Sequence, residues 1–215
     1  MSAKLALPKS LLVHGYITID GQKMSKTIGN VIDPFEVIKK YGTDPVRYYL
    51  LREIPSGEDG DFSYEKFEAR YNGDLANGLG NLVARVTTLG EKISPIALPR
   101  ENYPEPDIKS AIDRTREKYE EAFTDFKLNE ALAALWELIG IADKYINDQK
   151  PWAMKDDPAS LGKVITNGCL IIAAITELIT PFLPETVEKI ATQIHITNSE
   201  ITIKKSAGVL FPRLS

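Results

Sequence analysis

The sequence predicts a mainly α chain, a helical bundle preceded by a small α/β region, and three observations carry that prediction. Helix-start signals recur along the chain, with Pro34, Pro45, Pro158 and Pro184 each at the head of an apolar-periodic segment. Between Asp74 and Ile93 apolar residues return at three- and four-residue spacing. Strand-like alternation is confined to the first 20 residues and to the tail.

In order, Leu11 to Ile19 alternates around β-branched and apolar residues with His14-Gly15 between, which reads as strand, turn, strand. Asp33-Pro34 opens a short helix that ends at Gly42, and Asp44-Pro45 opens another through Val46, Tyr49 and Leu50. Pro55 to Asp61, rich in glycine and acids, reads as a loop. Ser63 is a candidate N-cap for a helix through Tyr71, and a longer helix is expected from Asp74 to Ile93. Pro95 to Pro106, with four prolines, reads as a linker. Helices are then expected over 107–123, 128–149, 158–180 and 184–194, with a strand or extended strap over 200–214. There is no internal repeat and no low-complexity segment.

With 215 residues, 43% hydrophobic and 26% charged, the composition is that of a soluble globular protein of one or two domains, able to bury a sizeable core. The longest apolar stretch, Cys169 to Ile175, is far short of the roughly 18 to 20 residues of a membrane span. No secretory signal is read near Met1, so no membrane partner is expected. A lone Cys169 excludes a disulfide within the chain, and a cytoplasmic setting is expected. One cysteine with His14 and His195 is too few for an ordinary zinc site, so no bound metal is expected and the histidines read as surface or capping residues. The net charge of -4 argues against a general nucleic-acid coat, DNA included, but the charge is uneven. Residues 1–52 hold eight Lys/Arg against four acids, about +4, leaving about -8 on the remainder. A cationic head on an acidic body suits selective contact with phosphate.

Three short patterns carry chemistry. In Asp20-Gly21-Gln22-Lys23-Met24-Ser25-Lys26-Thr27-Ile28-Gly29-Asn30, two lysines three residues apart sit between glycines. Such a loop can close on a polyphosphate, or it can be a solvated turn. In the segment from Asp74 to Ile93, Leu75, Leu79, Leu82, Val86, Leu89 and Ile93 share one face at α-helical periodicity. Asn77, Asn81 and Arg85 form a separate stripe expected to look outward, either as a solvated face or as donors and acceptors for the edges of unstacked bases. Where the helix over 128–149 ends, Pro151-Trp152 presents an aromatic that can be a base-stacking platform or a core plug.

Gln22 to Asn30 resembles the signature loop of class I aminoacyl-tRNA synthetases, known as KMSKS, with Thr27 in the last place. The likeness continues through Val31-Ile32-Asp33-Pro34, Lys40-Tyr41-Gly42-Thr43-Asp44 and Arg47 to Pro55, and is to methionine-tRNA ligases in particular. The Asn77, Asn81, Arg85 stripe and the Pro151-Trp152 pair resemble the parts with which those enzymes read a CAU anticodon. The resemblance implies ATP, with Mg2+ as its counterion, as the nucleotide, and tRNA(Met) as the partner. It implies that Lys26 steadies the phosphates as pyrophosphate leaves, that Lys23 assists, and that Met24 and Ser25 lie along the nucleotide.

The resemblance also implies a division of the chain. Residues 1–20 would be the last strand or strands of a Rossmann-like catalytic domain, 21–60 the loop and stem-contact region, and 61–215 the helical anticodon-binding domain with its C-terminal strap. The family's HIGH motif does not occur in this sequence, since no second histidine follows His14-Gly15. The implied partner is therefore an N-terminal catalytic half, fused or separate, the chain being an excised portion or one product of a split gene. A stand-alone tRNA-binding module, or the matching part of an isoleucine, valine, leucine or cysteine ligase, is the alternative.

Overall fold

The structure is a computed structural model and describes residues 8–19, 21–25, 27, 29–98, 103–154, 156–205 and 208–214. At its N-terminal end, β1 (Ile17–Ile19) pairs antiparallel with β2 (Gln22–Lys23) and parallel with β3 (Gly60–Phe62), in the order β2-β1-β3. Two expectations change here. Residues 11–16 are not a strand, and the expected loop over 55–61 yields the first two residues of β3. The reason is partner supply: β3 offers only three residues of edge, and its register matches Ile17 to Gly60 and Ile19 to Phe62. Leu11, Leu12, Val13 and Tyr16 are left exposed. His14 is exposed as well. Gly15 is required by close approach, since a Cβ there would lie 1.9 Å from the Glu58 carbonyl oxygen.

Helix α1 (Pro34–Tyr41) starts where the Asp33 carboxylate accepts the Phe35 N–H at 2.8 Å and stops at Gly42, whose φ of 92° only glycine adopts without strain. Helix α2 (Thr43–Glu53) follows directly. The Ser63 hydroxyl accepts from Lys66 N at 3.4 Å and caps α3 (Tyr64–Arg70), as the sequence predicts. The expected second helix is continuous with the first. α3 runs into a π-helical stretch, Tyr71–Gly80, then α4 (Asn81–Gly90) and one 3-10 turn, Glu91–Ile93. At Gly80 a Cβ would lie 2.9 Å from the Leu75 carbonyl oxygen, and the Asn81 N–H reaches five residues back to the Ala76 carbonyl. A π turn holds about one residue more than an α turn. Residues four apart therefore fall just short of a full turn in the π stretch and just beyond one in α4. The two drifts oppose each other, and Asn77, Asn81 and Arg85 stay in one row.

The rest is the bundle. The linker contains β4 (Ile96–Ala97), and α5 (Pro106–Thr124), α6 (Leu128–Gln149), α7 (Pro158–Ile179) and α8 (Pro184–Ala191) follow. α8 stops short of the expected Ile194 because β5 (Ile194–Ile196) pairs with β6 (Glu200–Ile203), which also pairs with β4. His195 is exposed on β5. Leu75, Leu79, Leu82 and Val86 are fully buried, in one core with Leu132, Leu135 and Leu138 of α6 and Ile165, Ile171 and Ile175 of α7. By length and composition alone α7 could cross a membrane, contrary to the estimate from its longest apolar stretch, but 61% of its most apolar window is buried inside the fold. Cys169 sits on it, fully buried.

A buried polar clasp joins α2 to α8. Asp44, 2% exposed, accepts from the Thr186 N–H at 2.6 Å and from its hydroxyl at 2.7 Å, setting a carboxylate against the N-terminus of α8. Arg47 donates to the carbonyls of Phe182 at 2.9 Å and Pro181 at 2.7 Å. Asp44→Ala strands the Thr186 N–H in an apolar setting, and urea unfolding is expected to show a loss of about 2 to 3 kcal/mol.

Candidate functional site

The lysine loop leaves β2 at Lys23 and is closed by its own polar groups. Asn30 accepts the Ser25 N–H at 2.8 Å and donates to the Lys23 carbonyl at 3.3 Å, while the Gly29 N–H returns to the Ser25 carbonyl at 3.0 Å. Gly29 takes a φ of 76°, which explains the glycine. Lys23 Nζ lies 5.4 Å from the Tyr16 ring centroid. Met24 lines an apolar cavity of about 170 Å3 with Ile17, Ile19, Val37, Leu50 and Phe62. Lys26 lies outside the described residues.

The loop's root is held by Asp61, which the sequence reading did not single out. One of its carboxylate oxygens accepts the Gly21 N–H at 2.8 Å and the Thr18 hydroxyl at 2.9 Å. Those two bonds, the backbone one first, hold its carboxyl below the usual aspartate range. A depressed folded-state pKa means the contribution is complete above the ordinary aspartate pKa and disappears only as pH falls through the lowered value. Amide exchange of Gly21 is therefore expected to stay protected from pH 7 down through pH 4, to open below that, and to be open at neutral pH in Asp61→Ala.

At the other end of the molecule the polar row is assembled as the sequence predicts, with one difference. Asn77 and Asn81 are exposed, and neither side chain has a hydrogen-bond partner among the described residues. Arg85 turns inward, its side chain 23% exposed, because α6 offers two acceptors one helical turn apart. Its Nη1 lies 3.4 Å from the Asp143 carboxylate, and its Nη2 donates to the Asn147 side-chain oxygen at 2.7 Å. Its guanidinium carbon lies 5.5 Å from the centroid of the Trp152 ring. Burial pushes the Asp143 carboxyl above its ordinary value, with the Arg85 charge opposing.

Trp152 is not a core plug. α6 ends at Lys150 in a left-handed conformation, φ 50°, and the turn Pro151–Ala153 swings the ring outward, leaving it 46% exposed above a buried Pro151. Asp143 and Asn147 escaped the sequence reading. Their four-residue spacing just before Pro151-Trp152 was the available signal, but only α4 packed against α6 shows that it faces Arg85.

An exposed aromatic with an arginine beside it, on a helical run with two exposed amides that have no hydrogen-bond partner among the described residues, forms a surface suited to unstacked bases. Comparison with known proteins gives the family. Residues 1–87 match the family described as tRNA synthetases class I (M), and residues 106–209 match the anticodon-binding domain of tRNA ligase. The class is thus that of class I synthetases carrying a helical anticodon-binding domain. All of this chain aligns with the methionine–tRNA ligase of Clostridium acetobutylicum at 45% identity, and 88% of it with that of Thermotoga maritima at 40%. The solved Mycobacterium tuberculosis methionyl-tRNA synthetase in complex with methionyl-adenylate superposes with a TM-score of 0.85 at 31% identity, over 99% of this chain. The chain belongs to the methionine–tRNA ligase family. It spans 36% of the Clostridium protein, 31% of the Thermotoga protein and 46% of the Mycobacterium chain.

Proposed function

We propose that this chain is the tRNA-reading and ATP-closing portion of a cytoplasmic methionine–tRNA ligase, and that it reads the CAU anticodon of tRNA(Met). The observation that carries the proposal is the meeting of Arg85 and Trp152, 5.5 Å apart, beside the unpaired amides of Asn77 and Asn81. In this reading a splayed anticodon base, the cytosine of the first position, stacks on Trp152 above Pro151. Its edge and its neighbours meet Asn77, Asn81 and Arg85. A wrong base leaves those polar groups unpaired, which is a stronger rejection than a lost apolar contact.

The loop serves the chemistry at the far end. Activation joins the amino-acid carboxylate to the α-phosphorus of ATP and expels pyrophosphate, so charge builds on the phosphates as the reaction proceeds. Lys23 and Lys26 are suited to meet that charge, Lys26 by its place in the sequence, with Met24 and Ser25 alongside the nucleotide. Mg2+ arrives with ATP as its counterion in this reading, and among the described residues no group of three or more His, Cys, Asp or Glu side chains could hold a metal. The division proposed is 1–20 as the end of a catalytic Rossmann-like domain, 21–60 as loop and stem-contact region, and 61–215 as anticodon-binding domain. The catalytic half, with its HIGH motif, is the protein partner.

Trp152→Ala is expected to keep the fold by circular dichroism. It should lose about 1 to 3 kcal/mol of binding to an RNA hairpin with a CAU loop and no longer separate it from a changed loop. Retained discrimination would overturn the anticodon reading. The chain alone should give no methionine-dependent exchange of pyrophosphate into ATP, and measurable exchange would refute the assigned division of labour.

A further inference from the structure

The C-terminal strap is pinned to the fold at two places and leaves a hollow between them. At one, the Lys204 N–H donates to the Gln193 carbonyl at 2.8 Å and the Lys205 N–H to the Glu91 carboxylate at 3.1 Å. At the other, buried Phe211 meets the Tyr71 ring, 6.0 Å between centroids, and the Asn72 side chain holds the Leu214 backbone through bonds of 2.8 and 3.2 Å. Between these anchors lies a cavity of about 220 Å3, lined by Gly80, by Val83, Ala84 and Thr87 of α4, and by Lys205 and Val209 of the strap. Lys205 is exposed and Val209 is 63% exposed, so the hollow opens to solvent.

Its chemistry suits a nucleotide whose base is held without being read. The polar groups on its walls are spent within the fold: the Thr87 hydroxyl donates to the Val83 carbonyl at 2.8 Å, and Gln193, which also borders it, donates to the Lys189 carbonyl at 3.2 Å. Apolar surface remains for the face of a base. The Lys205 ammonium, which has no partner among the described residues, remains for a phosphate.

Position joins the hollow to the polar row. At about 100° per residue, Gly80, Val83, Ala84 and Thr87 share one face of the helical run, Asn81 comes next around the axis, and Arg85 lies beyond it, turned to α6 and Trp152. The hollow and Trp152 therefore flank the exposed amides on opposite sides, along one path for a single strand. We propose that the hollow is a second nucleotide site, in which a loop nucleotide flanking the anticodon lays its base against Ala84 and Val209 and its phosphate on Lys205. This rests on the anticodon reading above and adds to it a contact that supplies affinity and register without sequence information.

The test uses the full chain and fluorescently labelled RNA hairpins with a CAU or a UAU loop, with binding followed by anisotropy across a salt series. Lys205→Ala is expected to weaken both hairpins alike and to flatten the salt dependence by about 0.7 per log unit, as one phosphate contact is lost. Further CAU hairpins lack the base at one flanking loop position at a time. At one of those positions, removing the base should weaken binding to the parent about tenfold, while exchanging it for another base should cost less than about twofold. In Ala84→Leu, which fills the hollow, the intact and the base-less hairpin should bind equally. A flanking base whose removal costs nothing at any position, an undiminished cost in Ala84→Leu, or a parent-like salt dependence in Lys205→Ala would each overturn the proposal. A parent that still separates CAU from UAU would then leave the anticodon reading standing. A parent that does not separate them would overturn that reading, and this inference with it.

Discussion

Leu75, Leu79, Leu82 and Val86 are fully buried, and burying them fixes the orientation of the one continuous helical run that passes from the β-sheet end of the molecule into the bundle. Each such side chain gains about 1.5 to 3 kcal/mol from leaving water. The run therefore cannot rotate about its axis without exposing that row. The opposite row, Asn77 and Asn81, is thereby committed to solvent, and Arg85, at its edge, is committed to α6. The polar surface is a consequence of the core and needs no further device to aim it.

The π-helical stretch makes that commitment compatible with a straight polar row. An α-helix would carry residues at i, i+4 and i+8 steadily around its axis, by roughly 40° per step. The wider turns of Tyr71–Gly80 rotate in the opposite sense before α4 resumes. Long π segments are rare, and here Gly80 spares the stretch a Cβ that would lie 2.9 Å from the Leu75 carbonyl oxygen. Trp136 adds support from α6, donating its indole N–H to the Asp74 carbonyl at 3.3 Å while packing against Tyr48 at 4.4 Å between centroids. The stretch on which Asn77 sits is thereby tied to α2, the helix that also carries the Asp44 clasp to α8.

Electrostatics follow the same layout. The lysine loop at one end and the Arg85 row at the other both present cations, but under different restraint. Lys23 has an aromatic ring 5.4 Å away, whereas Arg85 is paired with a carboxylate.

Most element boundaries were legible from local chemistry. Asp33 and Ser63 cap the helices they were expected to cap, the bounds of α6 match those read from the sequence, and the expected apolar face is the buried one. These are near-neighbour effects, decided by propensity, capping and periodicity within a turn or two. The strand pairing of Ile17–Ile19 with Gly60–Phe62 was not legible, because it joins residues more than forty apart and leaves the equally strand-like residues 11–16 unpaired. Nor was the π-helical register, whose only trace was glycine spacing. The residue types of the candidate surface, Asn77, Asn81, Arg85 and Trp152, were determined by sequence alone. That Arg85 turns inward to Asp143 and Asn147, that Asp61 roots the lysine loop, and that Trp152 stands exposed were decided only by the tertiary structure. A side chain's partner across two helices depends on how their buried faces interlock, and no local pattern encodes that angle.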